Sequence, residues 1–337
     1  MLSLLSAIYG KVADIRNALY DKGVFESHDL GARVISIGNI TTGGTGKTPL
    51  VAYVANILAE RGEKVCILTR GYGRNNPRNR VLVSDGENIL ATATESGDEP
   101  FELANKLLCK AIVIADADRV AAAEWAKRRF GVTVFVLDDG FQHRKAKRDV
   151  DIVCIDATNP FGGGKMLPAG RLREPLRNLS RADVVVITRA DLVSTQTVSI
   201  LRSEISNWNS SAPVFEISNS LLGFRELHST DLSTTILTGK NVYAFCALGN
   251  PESFFKMLTN AGLDIREDWA FEDHHLYSQL DVDLIESDAQ GQSHLCEALV
   301  VTAKDAVKLE GLSFETPCYV AEIEIKVDDD TVFRELL

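Results

Sequence analysis

Gly38-Asn39-Ile40-Thr41-Thr42-Gly43-Gly44-Thr45-Gly46-Lys47-Thr48-Pro49 is the stretch whose reading decides the fold. An apolar run, Val34-Ile35-Ser36-Ile37, leads into it and predicts a buried strand. Leu50, Val51, Val54, Ile57 and Leu58 follow at helical spacings of three and four. Strand, glycine-rich turn, Lys-Thr and helix together make the context of a phosphate-binding P-loop. Glycines let successive backbone N–H groups converge on an anion, and the helix N-terminus adds its positive dipole. On this reading Thr41, Thr42, Gly43, Gly44, Thr45, Gly46, Lys47 and Thr48 hold ATP. Lys47 reaches the β- and γ-phosphates, and the Thr48 hydroxyl ligates Mg2+. Thr41 stands where the motif has its first glycine.

Outward from the loop the chain alternates strands and helices. Strands are expected at 64–68, 111–114, 132–137, 152–156 and 184–187, with helices from Asp98 to about Leu108 and from about Arg119 to Phe130. Near-continuous apolar strands separated by helices imply a parallel sheet covered on both faces, with ligands at the carboxyl ends of the strands. The expected class is α/β, a P-loop NTPase-type, doubly wound, mostly parallel sheet with a second, smaller α/β domain. Residues 191–235, rich in Ser and Thr, read as a connecting segment between a core at 23–190 and a C-terminal domain at 236–337. That domain is expected to hold strands at 242–245, 298–302 and 319–327, with helices from near Pro251 and Lys304.

The 337 residues carry a net charge of −11, which argues against broad nucleic-acid binding. Residues 140–181 are locally basic, with nine Lys and Arg against four Asp and Glu, and suit an anionic substrate or lipid surface. The six cysteines show no C-x-x-C pair, and Cys66 and Cys154 lie in apolar runs, as buried thiols do. Within residues 1–22, Leu4, Leu5, Ile8, Val12, Ile15 and Leu19 share one helical face. Such a helix either packs on the core or lies in a membrane interface.

Four acidic residues bear on the chemistry. Asp138 ends the apolar run Val134-Phe135-Val136-Leu137, the position of a carboxylate that holds Mg2+, and Asp139 adds a second. Asp98 and Glu99 stand in Gly97-Asp98-Glu99-Pro100 at a helix start, where Asp98 reads by itself as an N-cap, though a kinase also needs a carboxylate near its acceptor. In Phe271-Glu272-Asp273-His274-His275 a histidine beside a carboxylate is a base, a relay or a polar surface pair.

Taken in order, several strings resemble the tetraacyldisaccharide 4′-kinase family. They are the P-loop stretch, Thr69-Arg70-Gly71-Tyr72-Gly73, Gly97-Asp98-Glu99-Pro100, Asp138-Asp139-Gly140-Phe141-Gln142-His143, Leu167-Pro168-Ala169-Gly170, Arg173-Glu174, Asp273-His274 and Lys304-Asp305-Ala306-Val307. The resemblance implies transfer of the ATP γ-phosphoryl to the 4′-hydroxyl of an acylated glucosamine disaccharide 1-phosphate, at the cytoplasmic face of the inner membrane. It makes Asp98 the acceptor-side base with His274 as its partner, Lys47 the phosphate lysine, and Thr48, Asp138, Asp139 and Glu99 the metal set. It makes residues 1–22 a peripheral membrane helix, and implies neither nucleic acid nor a stable protein partner. One departure is Arg171, where the family usually has proline. The alternatives are a partitioning-type switch ATPase, whose lysine before the paired glycines is Thr42 here, and a GTPase or metallochaperone regulator. The latter's guanine-reading Asn-Lys pair is replaced by Thr188-Arg189.

Overall fold

The computed structural model describes residues 2–229, 231–273, 275–291 and 295–337. The chain divides into two units, Met1–Ser218 with Ile325–Leu337, and Asn219–Glu324.

The first unit runs α1 (Leu2–Asp21), β1 (Arg33–Asn39), α2 (Lys47–Glu60), β2 (Val65–Thr69), β3 (Val81–Ser84), α3 (Ala93–Ser96), α4 (Asp98–Lys106), β4 (Ala111–Ala115), α5 (Arg119–Phe130), β5 (Val134–Asp138), β6 (Val150–Asp156), β7 (Val184–Thr188), α6 (Thr195–Trp208) and the start of β8 (Val214–Glu226). Its strand order is β8-β7-β6-β1-β5-β2-β4-β3, parallel except for the edge strand β3. Successive side chains point to opposite faces, and both faces are covered. Ile35, Ile37, Val134 and Val136 pack with Leu50, Val54 and Leu58 of α2. Val34, Phe135 and Leu137 pack with Val120, Ala122 and Ala126 of α5. This two-sided burial is why the strands read as unbroken apolar runs. Ile37 pairs with Asp138, so the ends of β1 and β5 bring the P-loop and that carboxylate to the same edge.

The second unit contains β9 (Asn241–Cys246), α7 (Pro251–Asn260), β10 (Asp264–Ala270), α8 (Gln279–Ala289), β11 (Ala298–Thr302), α9 (Ala303–Ala306) and β12 (Cys318–Val327), with strands in the order β10-β9-β11-β12. Asp305, fully buried, accepts from the Ala247 N–H and the Thr302 hydroxyl at 2.9 and 2.8 Å and pairs with Lys308 at 3.1 Å. The Lys-Asp-Ala-Val string therefore ties the end of β9 to α9.

Two boundaries differ from the sequence expectation. The segment 191–235 is not a plain connection, because it carries α6 and β8. Ser194 caps α6 through Thr197 N–H, and Val198, Leu201 and Ile205 are buried along one face. Surrounding Ser and Thr diluted that periodicity. The chain also leaves the second unit at Ile325, and α10 (Asp330–Leu336) places Phe333 in the α2-side core, edge-on to Phe215 at 5.2 Å.

Helix α1 is docked in an unusual sense. Its buried residues are Ser6, Gly10 and Asn17, whereas Leu4, Leu5, Ile8, Val12 and Ile15 are exposed. Asn17 Nδ2 donates to the buried Glu174 at 2.7 Å, Arg181 pairs with Glu174 at 3.0 Å, and Ala169 N–H donates to Ser6 Oγ at 3.0 Å. No described helix is long and apolar enough to cross a membrane.

Candidate active site

The P-loop joins β1 to α2 and is braced from neighbouring strands. Gly46 adopts φ 70°, the left-handed conformation needed to turn into α2 at its N-cap. Thr45 is buried; its hydroxyl accepts from Asn39 Nδ2 at 2.9 Å, and its carbonyl accepts from the Thr188 hydroxyl at 2.8 Å. The other limb is zipped to residues 171–173: Thr42 N–H donates to Arg171 O and Arg173 N–H to Ile40 O, both at 2.7 Å. Gly43 and Gly44 are exposed at the crown. Lys47 Nζ lies 3.5 Å from both Thr45 Oγ1 and Asp139 Oδ1.

Asp138 and Asp139 are adjacent but differently engaged. Asp138 is buried; its Oδ2 accepts from the Thr69 hydroxyl at 2.8 Å, and its carbonyl accepts from the buried Arg119 guanidinium at 2.8 Å. Burial pushes the Asp138 carboxyl up, with Lys47 opposing. Burial also acts on Asp139, but Lys47 and Arg173 outweigh it and hold that carboxyl down. Arg173 Nη1 reaches both Asp139 oxygens, at 2.9 and 2.7 Å. Asp139 thus clamps two cations while Asp138 keeps an oxygen at the buried end of β5.

Helix α4 brings Asp98 and Glu99 toward this centre. Gly97, at φ 96°, is the N-cap, and Asp98 is the first helical residue, so the capping reading of Asp98 is corrected. A Cβ on Gly97 would lie 2.4 Å from Tyr72 O, so only glycine lets this turn abut the Thr69–Gly73 loop. Partial burial raises the Glu99 carboxyl, Asp138 adds to the effect and Lys47 opposes it, which marks Glu99 as part of the same charge cluster. His274 lies outside the described residues. His275 stacks on Phe271 at 4.7 Å and sits 3.3 Å from Asp281, a local structural role.

These groups form a phosphate cradle with a lysine and facing carboxylates. A sequence model described as Tetraacyldisaccharide-1-P 4'-kinase matches residues 1–337. The chain belongs to the tetraacyldisaccharide 4′-kinase family. A tetraacyldisaccharide 4'-kinase of Halothermothrix orenii is 41% identical over 319 residues, covering 91% of this chain and 82% of that protein. One from Syntrophus aciditrophicus is 36% identical over 346 residues, covering 100% and 91%. Among solved structures, LpxK from Aquifex aeolicus, crystallised with ATP, is 32% identical with a TM-score of 0.77, covering 98% of this chain and 96% of that one.

The residues of this kinase fit Mg2+ and ATP. Among the described residues no group of three or more His, Cys, Asp or Glu side chains could hold a metal ion. Mg2+ in kinases is held by one or two carboxylates together with substrate phosphates and waters, so a cage of three protein carboxylates is not required for it to bind here. Several supporting residues had no assigned role in the sequence reading. Thr69 opens one of the family-like strings and Arg119 an expected helix, but neither announces its contact with Asp138, which forms only through the sheet. Thr188 and Arg189, which stand in place of a guanine-reading Asn-Lys pair, brace Thr45 and pair with Asp156. The basic face at 140–181 is largely paired internally: Arg144 with Asp21, Lys145 with Asp118, Arg148 with Asp151, Arg173 with Asp139, Arg177 with Asp14 and Arg181 with Glu174.

Proposed function

We propose that this kinase transfers the γ-phosphoryl group of ATP to the 4′-hydroxyl of a tetraacylated glucosamine disaccharide 1-phosphate. The observation that carries the reading is the charge cluster of Lys47, Asp138, Asp139 and Glu99 at the mouth of a braced P-loop, in a chain matched over its whole length by the kinase family. In the reaction the 4′-oxygen bonds to the γ-phosphorus as the bond to the β,γ-bridging oxygen breaks, and that electron pair leaves with ADP. Asp98 takes the hydroxyl proton, with His274 as its partner. Lys47 places positive charge on the β- and γ-oxygens, and Thr48 and Asp138 hold the metal, with Glu99 and Asp139 beside them. Mg2+, when bound, draws charge from the same oxygens. Positioning and charge stabilisation are most of what this reaction asks of a protein.

The acceptor's acyl chains keep it in a membrane, and the exposed apolar face of α1 is the surface that meets it, at the cytoplasmic side of the inner membrane. Aliphatic side chains contribute roughly 1.5–3 kcal/mol each when fully buried, less after incomplete immersion and ordering, which gives reversible peripheral attachment.

The test is incubation with γ-labelled ATP and a tetraacylated disaccharide 1-phosphate. Labelled lipid is expected from the native chain, and Lys47→Ala should reduce it by roughly 10²-fold or more with the fold intact. Absence of labelled lipid while the protein binds ATP would reject the kinase reading.

A further inference from the structure

Of the two basic residues in the 171–173 zipper, Arg171 is the one whose side chain has no hydrogen-bond or ion-pair partner among the described residues. Its backbone is fixed: the Arg171 carbonyl accepts from Thr42 N–H, and Leu172 bridges Thr41. Its stem is fixed as well. A Cβ built on Gly162 would fall 2.5 Å from Arg171 Cβ and within 3.4 Å of its Cγ and Cδ, so the missing side chain at 162 is the slot in which the stem lies. At the far end, a Cβ on Gly43 would fall 3.2 Å from Arg171 Nη2 and 3.6 Å from Cζ. The guanidinium therefore rests against the crown of the P-loop, the part whose N–H groups face phosphate oxygens. Arg171 is exposed and makes no side-chain hydrogen bond or ion pair among the described residues. Its neighbour Arg173, by contrast, is bound to Asp139.

We propose that Arg171 is a catalytic residue acting in cis, its guanidinium contacting the β- and γ-phosphate oxygens of the nucleotide as charge shifts toward the leaving group. The inference rests on the kinase reading above. The physical reason is that a planar, permanently charged fork suits phosphate, and here it is delivered pre-aligned between two glycines rather than recruited from solution. As the β,γ-bridging bond lengthens, negative charge grows on the ADP β-phosphate, while the 4′-oxygen gains its bond to phosphorus and its proton passes to the acceptor-side base. A cation lying on the Gly43 side of the loop is stabilising mainly at that point, so its contribution belongs to turnover rather than to ATP binding.

Arg171→Met keeps the apolar stem and removes the charge; Arg171→Lys keeps both stem and charge. Calorimetry with ADP alone and with ADP plus aluminium fluoride, a planar mimic of the transferring group, reads the contact without turnover. The Met variant is expected to lose about 100-fold in affinity for ADP–aluminium fluoride, with ADP affinity unchanged within about threefold. Its kcat for lipid phosphorylation should fall by about 100-fold, and the Lys variant should recover to within about tenfold of the native chain. Equal losses in Met and Lys variants at unchanged melting temperature would assign the effect to loop packing and overturn the proposal. So would an unchanged Met variant, or a loss confined to KM for the lipid, which would place Arg171 on the acceptor's phosphate instead. Failure of the native chain to label lipid would strike the kinase reading; a fully active Met variant strikes only Arg171.

Discussion

At the scale of single residues, the site separates charges that hold the architecture from charges left for substrate. Asp139 is neutralised by Arg173 and Lys47, and Asp138 is buried beside the Thr69 hydroxyl. Asp98 begins α4 without being its cap, since Gly97 takes that place. Replacing Asp98 by Asn and His274 by Ala should each lower kcat by roughly 10²–10⁴ with little change in KM for ATP. The double variant should lose far less than the product of the single losses, because groups acting as a unit are non-additive. Multiplicative losses in steady-state kinetics would separate the two residues. The P-loop, both aspartates and the Gly-Asp-Glu-Pro turn were legible because each is a short string with its own chemistry. Thr69 and Arg119 were not, since nothing near them in sequence announces a partner at position 138.

At the scale of elements, α1 shows how an amphipathic pattern can be read correctly and still leave its orientation open. Its apolar stripe was plain in the sequence, but either face could have met the core. Ser6, Gly10 and Asn17 make the inner contact because small side chains allow close approach to the 166–181 segment and Asn17 answers the buried Glu174. Exchanging Leu5, Ile8 and Val12 for polar residues should therefore change unfolding stability little, within about 1 kcal/mol, since each is already about half exposed, at 47, 51 and 58%. The same triple variant should lose flotation with anionic vesicles and most lipid phosphorylation while keeping background ATP hydrolysis. Asn17→Ala should do the reverse first: removing the partner of a buried carboxylate costs about 1–3 kcal/mol and should expose α1 to protease. A triple variant that still floats would move the membrane face elsewhere.

At the scale of the whole molecule, pH tests how tightly the carboxyl edge of the sheet is assembled. Burial, reinforced by Arg119 and Arg148, depresses the His143 imidazole to about 3. In the unfolded chain it titrates near 6.5, so between those values the unfolded state binds the extra proton and stability rises with pH. The contribution is complete above pH 6.5 and is lost as pH falls from there toward 3. At pH 5 the loss from this group is about 2 kcal/mol. Urea unfolding at pH 7.5 and 5.0 should show a smaller difference in His143→Asn than in the native chain; equal differences would remove His143 from the explanation. The sequence by itself determined the parallel α/β core, the nucleotide loop and the family, because apolar periodicity and glycine-lysine spacing are local properties of the chain. Only the tertiary structure decided that residues 325–337 return to the first unit, that α1 turns its apolar face outward, and that Arg171 lies against Gly43. Those outcomes depend on which distant surfaces fit one another, and complementarity of that kind is a property of packing that no single segment encodes.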